Sequence, residues 1–292
     1  MINVMHLGLT YQCNMKCKHC YVQKSKDILT LDDFKKILEI SAKNGVFVLY
    51  YTFGEPLLSP YIFDLIEFSH KLGYVQTLMT NGYLINERIA KQLKLNGINN
   101  VYISIDSIFP KKHDENRGLN GAFEKAIKAI KILSNNNISV GISTTIRNEN
   151  LDEILEIVNL ALTLNIKCIS LLRKREDNNL NVFKKENEKK YLEIMHTLIV
   201  NEEFYNNIGI HIHDPTLLSY LDYWYKNNEL DFYQYDKFYQ MNKCHYNSTI
   251  SIEPNGNMKN CNLINEKKAK YSVDNINKIF KEKNNEHTFC CT

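Results

Sequence analysis

The chain has 292 residues, 44% hydrophobic and 24% charged, a balance ordinary for a folded protein with a sizeable core. Its 36 basic and 33 acidic residues leave a formal charge of +3, too little to make nucleic acid or a membrane surface the expected partner. No run approaches the ~20 apolar residues of a membrane span, and the opening MINVMHLGLT lacks an export signal, so the expected compartment is cytoplasmic.

Apolar β-branched runs then alternate with helical patterns. VMHLGLT (4–10) reads as a strand and LTLDDFKKILEISAKNG (29–45) as an amphipathic helix. That helix opens at Thr30, with Asp33 as its capping-box partner, and closes at Gly45. Further strands are VFVLYYTF (46–53), YVQTLMT (74–80), NVYISID (100–106), ISVGISTTI (138–146) and IKCISLL (166–172). Helices are YIFDLIEFSHKLG (61–73), NERIAKQLKLNG (86–97), GAFEKAIKAIKILSNN (121–136), LDEILEIVNLALTLN (151–165) and a stretch near 187–201.

Six β/α repeats imply right-handed crossovers and a parallel sheet. Short loops fit either a partial barrel or an open doubly wound sheet, and periodicity does not choose between them. After residue 205 the pattern changes. IGIHIH (208–213) reads as one further strand, and residues 220–240 are crowded with aromatics. TISIEPNGNMKNC then reads as a hairpin turning at Asn255–Gly256, followed by a short helix. The expected segments are a βα domain over 1–205, an aromatic-rich bridge over 206–243 and a small α+β extension over 244–292.

TYQCNMKCKHCY (10–21) places Cys13, Cys17 and Cys20 directly after the first strand, where parallel α/β folds gather their chemistry. Eight cysteines in a reducing compartment point to metal or redox chemistry. Three thiolates can hold three corners of a [4Fe–4S] cube and leave the fourth iron open. An open position is what a catalytic metal needs. Zinc is the alternative, but it needs a fourth ligand, and His19 is too close in sequence to serve comfortably.

CNMKCKHCY resembles the signature of the radical S-adenosylmethionine (SAM) superfamily, whose fold is a partial (β/α)6 TIM-like barrel. Later strand ends resemble the family's motifs in order. TFGEPLL (52–58) resembles its Gly-Gly-Glu-Pro motif, implying that Gly54, Glu55 and Pro56 hold the methionine amino group. Phe53 replaces the first glycine there, a bulk that tilts or narrows the site. MTNGYLI (79–85) resembles the Thr-Asn-Gly motif with Asn81. ISIDS (103–107) supplies Ser104 and Asp106 for the ribose and carboxylate. RGLNGAF (117–123) and STTIRNEN (143–150) are similar to the maturase branch, with Ser143 and a carboxylate-pairing Arg147. His19 matches the position lying against the adenine, and Leu172 on the sixth strand joins the implied SAM-binding set.

Cys244, Cys261, Cys290 and Cys291 form a second group. Cys244 to Cys261 reads Cys-x11-Gly-x4-Cys and resembles the opening of the SPASM and Twitch extensions, which hold auxiliary [4Fe–4S] clusters. The cysteines suffice for one such cluster, so the Twitch form fits better. Cys290 and Cys291 are adjacent where the family has Cys-x-x-Cys. Neighbouring side chains in extended backbone point opposite ways. Either a sharp turn lets both ligate, or one is a dangling terminal thiol. Cys168 shares a strand face with Ser170 and Leu172. It reads as a small buried hydrophobe or as the hydrogen-atom donor that an epimerase needs. His211 and His213 share a strand face beside Asp214 and look like metal ligands, but with no obvious third partner they read as packing or barrel-mouth polar groups.

The resemblance implies reductive cleavage of SAM to a 5′-deoxyadenosyl radical and hydrogen abstraction from a ribosomal precursor peptide or protein, ending in crosslinking or epimerisation. A flavodoxin or ferredoxin is the implied reductant. The alternatives are a radical SAM dehydrogenase of a small molecule and a non-catalytic metal-binding protein. With the first strand at residue 4, a peptide is expected to be held by the barrel, the extension or a partner protein.

Overall fold

The computed structural model describes residues 2–20, 22, 28–174, 183, 185–214, 216–242, 248–259 and 269–283. Seven parallel strands cross one sheet in chain order: β1 (Val4–Gly8), β2 (Val48–Thr52), β3 (Val75–Thr80), β4 (Asn100–Ser104), β5 (Ser139–Ile146), β6 (Cys168–Arg173) and β7 (Gly209–His213). The order never reverses across these seven strands. A doubly wound sheet switches direction at its midpoint, so the structure selects the partial barrel.

The sheet is curved. Tyr50 on β2 and Cys168 on β6 interact electrostatically, as do His6 on β1 and His213 on β7. Strands four and six places apart therefore face one another across a lumen. Strand alternation explains what lies on each side. Met5, Leu7, Leu49, Tyr51, Val101, Ile103, Ile169 and Leu171 are fully buried on the outer face. Each such side chain contributes roughly 1.5–3 kcal/mol by leaving water.

The outer layer is made of α1 (Leu31–Lys43), α2 (Ile62–Lys71), α3 (Glu87–Leu95), α4 (Pro110–Arg117), α5 (Ala122–Asn135) and α6 (Ile154–Thr163). In α1, Phe34, Ile37, Leu38 and Ser41 recur at helical spacing and are buried. The predicted capping box forms: Thr30 Oγ1 accepts from Asp33 N at 3.2 Å, and Thr30 N donates to the Asp33 carboxylate. Gly45, at φ +90°, takes the left-handed position after the helix. The predicted elements stand, with ends shifted by up to a few residues.

The barrel sheet runs past the boundary expected at residue 205, because β7 pairs with β6 in parallel. Then α7 (Lys185–Val200) and α8 (Glu202–Asn207) precede β7, and α9 (Leu217–Lys226) and α10 (Phe232–Asn242) follow it. The aromatic-rich segment thus forms two helices. Tyr225 of α9 stacks on Tyr235 of α10 at 4.6 Å, and α10 packs against β7.

The predicted hairpin is β8 (Thr249–Ile252) and antiparallel β9 (Asn257–Lys259), turned by Gly256 at φ +84°. Its placement was not predicted. β8 pairs in parallel with the other edge of β1, Val4 against Thr249 and Leu7 against Ile252. A short β10 (Ala269–Lys270) extends the sheet to ten strands, and α11 (Val273–Lys283) packs against α1.

Candidate active site

The loop after β1 lies across the loop after β2. Thr10 Oγ1 accepts from Gln12 N at 3.0 Å, and Gln12 O accepts from Glu55 N at 2.8 Å. Gly54, at φ +46°, allows this approach, since a β-carbon there would meet Thr10 O at 2.6 Å. Phe53 also sits in the left-handed region, at φ +63°. It holds a backbone conformation that glycine adopts freely, at a strain of roughly 1–3 kcal/mol. Its buried ring lies against Gly8, as Pro254 also does.

Cys13, Cys17 and Cys20 are free thiols on this loop. Three donors point at their sulfurs. Met15 N reaches Cys13 Sγ at 3.4 Å, Asn81 Nδ2 reaches Cys13 Sγ at 3.9 Å, and Arg117 Nη1 reaches Cys17 Sγ at 3.8 Å. Burial pushes the Cys13 and Cys17 thiols up, against these donors. Bound iron would supply the positive charge that keeps them ionised. A cubane takes each thiolate on a different iron and leaves the fourth iron open, and three free cysteines on one loop are the donor set that fits it.

Glu55 is 1% exposed. Its carboxylate accepts from Thr80 Oγ1 at 2.7 Å, Asn81 N at 2.9 Å and Leu57 N at 3.2 Å. Burial nevertheless lifts its carboxyl above the usual range, and an incoming ammonium would offset that cost. Pro56 starts the short 3-10 turn after it. Asn81 also binds Asn14 Oδ1 at 2.8 Å, joining the third-strand motif to the cysteine loop.

Asp106, fully buried after β4, accepts from Thr145 N at 2.9 Å and pairs with Arg117 Nη2 at 2.7 Å. Burial works to raise its carboxyl, but the Arg117 guanidinium prevails and holds it below the usual range. His19 Nε2 lies 3.5 Å from the same carboxylate. Burial lowers the imidazole to about 4, so this is a polar contact of a neutral ring. Arg147 is 4% exposed; its Nη1 donates to Asn116 Oδ1 at 3.2 Å, while Nε and Nη2 are buried with no partner among the described residues. Two unpaired guanidinium donors are the arrangement a carboxylate completes.

Ser104, Ser143 and Ser170 stand in one register row across the lumen, with Leu172 beside Thr145 one row above. Cys168 lies one row below the serines. There the Tyr102 ring crosses Gly141 to reach it: a β-carbon on Gly141 would meet the ring at 2.6 Å, and the Tyr102 hydroxyl donates to Cys168 Sγ at 2.8 Å. Cys168 therefore faces the lumen, and burial pushes its thiol up. Among the described residues, no lumen-facing position of β1 to β8 carries Asp, Glu, Lys or Arg.

Asp214 is engaged by Arg173 at 3.0 Å and Tyr191 at 2.9 Å. Cys244, Cys261, Cys290 and Cys291 lie outside the described residues. The structure adds Asn14, Thr80, Asn116 and Arg117 to the site. Arg117 and Asn116 had a signal in the polar run before Gly118, but nothing in that run says which partner each meets.

The profile of the radical SAM superfamily matches residues 7–161, more than half of the chain. An AdoMet-dependent heme synthase of Methanosarcina barkeri is 32% identical over 157 residues, 52% of this chain and 45% of that protein. The antilisterial bacteriocin subtilosin biosynthesis protein AlbA of Bacillus subtilis is 31% identical over 166 residues, 56% of this chain and 37% of that protein. Each match thus spans less than half of the curated relative. Streptococcus suis SuiB bound to precursor peptide SuiA superposes with a TM-score of 0.75 at 20% identity, covering 96% of this chain and 65% of that one. No helix among the described residues is long and apolar enough to cross a membrane. With the profile matched over that length and three free cysteines at the mouth of a partial barrel, the chain belongs to the radical SAM superfamily.

Proposed function

We propose that this radical SAM enzyme modifies a ribosomal peptide or protein, drawing its electron from a flavodoxin- or ferredoxin-class reductant. The observation that carries the reading is the lumen wall. Among the described residues its strand positions carry no Asp, Glu, Lys or Arg, and they present hydroxyls, aromatic rings and imidazoles, with Tyr50, Tyr102, Ser143, Ser170, His6, His211 and His213 among the groups. A tetrapyrrole carboxylate or a nucleoside triphosphate would need cations there to offset its desolvation, whereas an uncharged residue of a peptide needs none. The likenesses to AlbA and to peptide-bound SuiB support the same choice.

A [4Fe–4S] cluster on Cys13, Cys17 and Cys20 would supply the electron that splits SAM into methionine and a 5′-deoxyadenosyl radical. The protein's residues do the rest. Glu55 holds the SAM ammonium and Arg147 its carboxylate, Ser104, Ser143, Asp106 and His19 frame the nucleoside, and Leu172 closes the apolar side. Cys244, Cys261 and one or both of Cys290 and Cys291 hold one auxiliary cluster in a Twitch-like extension. The experiment is anaerobic incubation with dithionite, SAM and candidate short peptides, read by mass spectrometry. Modified peptide together with 5′-deoxyadenosine supports the reading. Turnover only with a small metabolite replaces it with the dehydrogenase alternative.

A further inference from the structure

The last turn of α4 touches both halves of the site. Asn116 O and Arg117 O accept from Lys18 N at 3.0 Å and Lys16 N at 3.1 Å, the residues on either side of Cys17. Gly118, at φ +65°, ends the helix and leaves room for the loop, since a β-carbon there would meet Lys16 O at 2.8 Å. Arg117 is 8% exposed. One arm of its guanidinium, Nη1, donates to Cys17 Sγ at 3.8 Å, and the other, Nη2, meets Asp106 Oδ2 at 2.7 Å. Asp106 is itself fixed by Thr145 N, so the guanidinium is aimed. A planar fork directs two donors at two acceptors in a fixed geometry, whereas the donors of a shorter lysine ammonium rotate freely and are not held in that geometry.

We propose that Arg117 is a positioning residue that sets the reduction potential of the cysteine-held cluster, with Asp106 orienting the charge-assisted hydrogen bond to the Cys17 sulfur. Adding an electron makes the cluster more negative. A buried cation donating to one of its sulfurs stabilises that reduced form and raises the potential. The role concerns the electron and not the substrate, so it stands or falls apart from the peptide reading.

The test is an EPR-monitored redox titration of reconstituted protein without SAM. The relevant signal is the one lost when Cys13, Cys17 and Cys20 are all replaced by Ala. Arg117→Gln is expected to lower the midpoint by at least a tenfold change in the reduction equilibrium, 59 mV for one electron. Arg117→Lys, which keeps the charge but not the fork, is expected to fall below wild type too. An unchanged midpoint in Arg117→Gln at full iron content overturns the proposal. If Arg117→Gln fails to hold iron, a wild-type midpoint in Arg117→Lys overturns it. Loss of iron from both variants assigns Arg117 to loop folding alone and overturns it as well.

Discussion

The Phe53 ring lies so close to Gly8 that a β-carbon at Gly8 would sit 2.7 Å from Phe53 Cδ2 and 2.6 Å from Pro254 Cδ. The two residues are complementary. Gly8→Ala is expected to destabilise the protein by about 1–3 kcal/mol, as overpacking does. Phe53→Gly relieves the strained backbone but opens a void. In the double variant the new methyl enters that void, so a urea-denaturation cycle should give a favourable coupling of about 0.5–3 kcal/mol. Additivity of the two changes would show that the ring and Gly8 are not in contact. SAM affinity of Phe53→Gly, measured by calorimetry, is expected to match or exceed wild type, because the backbone and Glu55 remain.

Replacing Cys13, Cys17 and Cys20 together with Ala should abolish 5′-deoxyadenosine formation. Iron analysis of that variant reads the second group of cysteines. About four irons per chain are expected if one auxiliary cubane remains. A value near zero would leave only the first cluster.

Two histidines make the fold acid-sensitive. Burial lowers both His6 and His113 to about 4. His6 stacks on Tyr50 at 4.9 Å, and His113 Nδ1 accepts from Asp106 N at 3.3 Å, a bond that only the neutral ring can accept. Because the folded values lie below the unfolded 6.5, unfolding takes up protons between them. Their contribution is complete above pH 6.5 and is lost as pH falls toward 4. Stability to urea should drop across that window, with a slope of up to about 2.7 kcal/mol per pH unit from the pair, to which His19, also lowered to about 4, adds its own share. His113→Gln should remove roughly half of the pair's share. A flat profile from pH 6.5 to 4 would contradict the buried neutral state.

Cys168 tests the outcome of the reaction. A thiol that quenches a substrate radical gives up its hydrogen atom and needs one electron and one proton to be restored. Epimerisation in deuterium oxide therefore predicts one deuterium per turnover, and a Cys168→Ala variant that still makes 5′-deoxyadenosine but no inverted product. Tyr102→Phe removes the hydroxyl at 2.8 Å from the sulfur and should alter the yield of inverted product without abolishing it. A product two hydrogens lighter, formed equally well by the variant, means crosslinking or dehydrogenation.

The βα rhythm was legible because each strand and helix carries its own periodicity, and the three cysteines because their spacing is local. Glu55, Asn81, Asp106 and Arg147 were legible as motifs at strand ends. What escaped depends on register between distant segments. PKKHDENR carries no apolar stripe, so α4 and the contacts of Arg117 had no local signature. Tyr102 meets Cys168 only because the register places Gly141 between them. The doubly wound alternative was settled by strand order, which periodicity does not encode.

The placement of β8 beside β1 has a consequence for biosynthesis. The strand that feeds the cysteine loop finds its second neighbour only at Thr249, so one edge of β1 stays unpaired until the ribosome has added most of the chain. At about 5–20 residues per second that interval lasts on the order of 10–50 s. Throughout it, Met5 and Leu7 stand on an open edge able to pair with another nascent chain. Soluble yield should therefore depend on translation speed and temperature, and a permuted chain that synthesises 249–259 immediately before β1 should shorten the hazard.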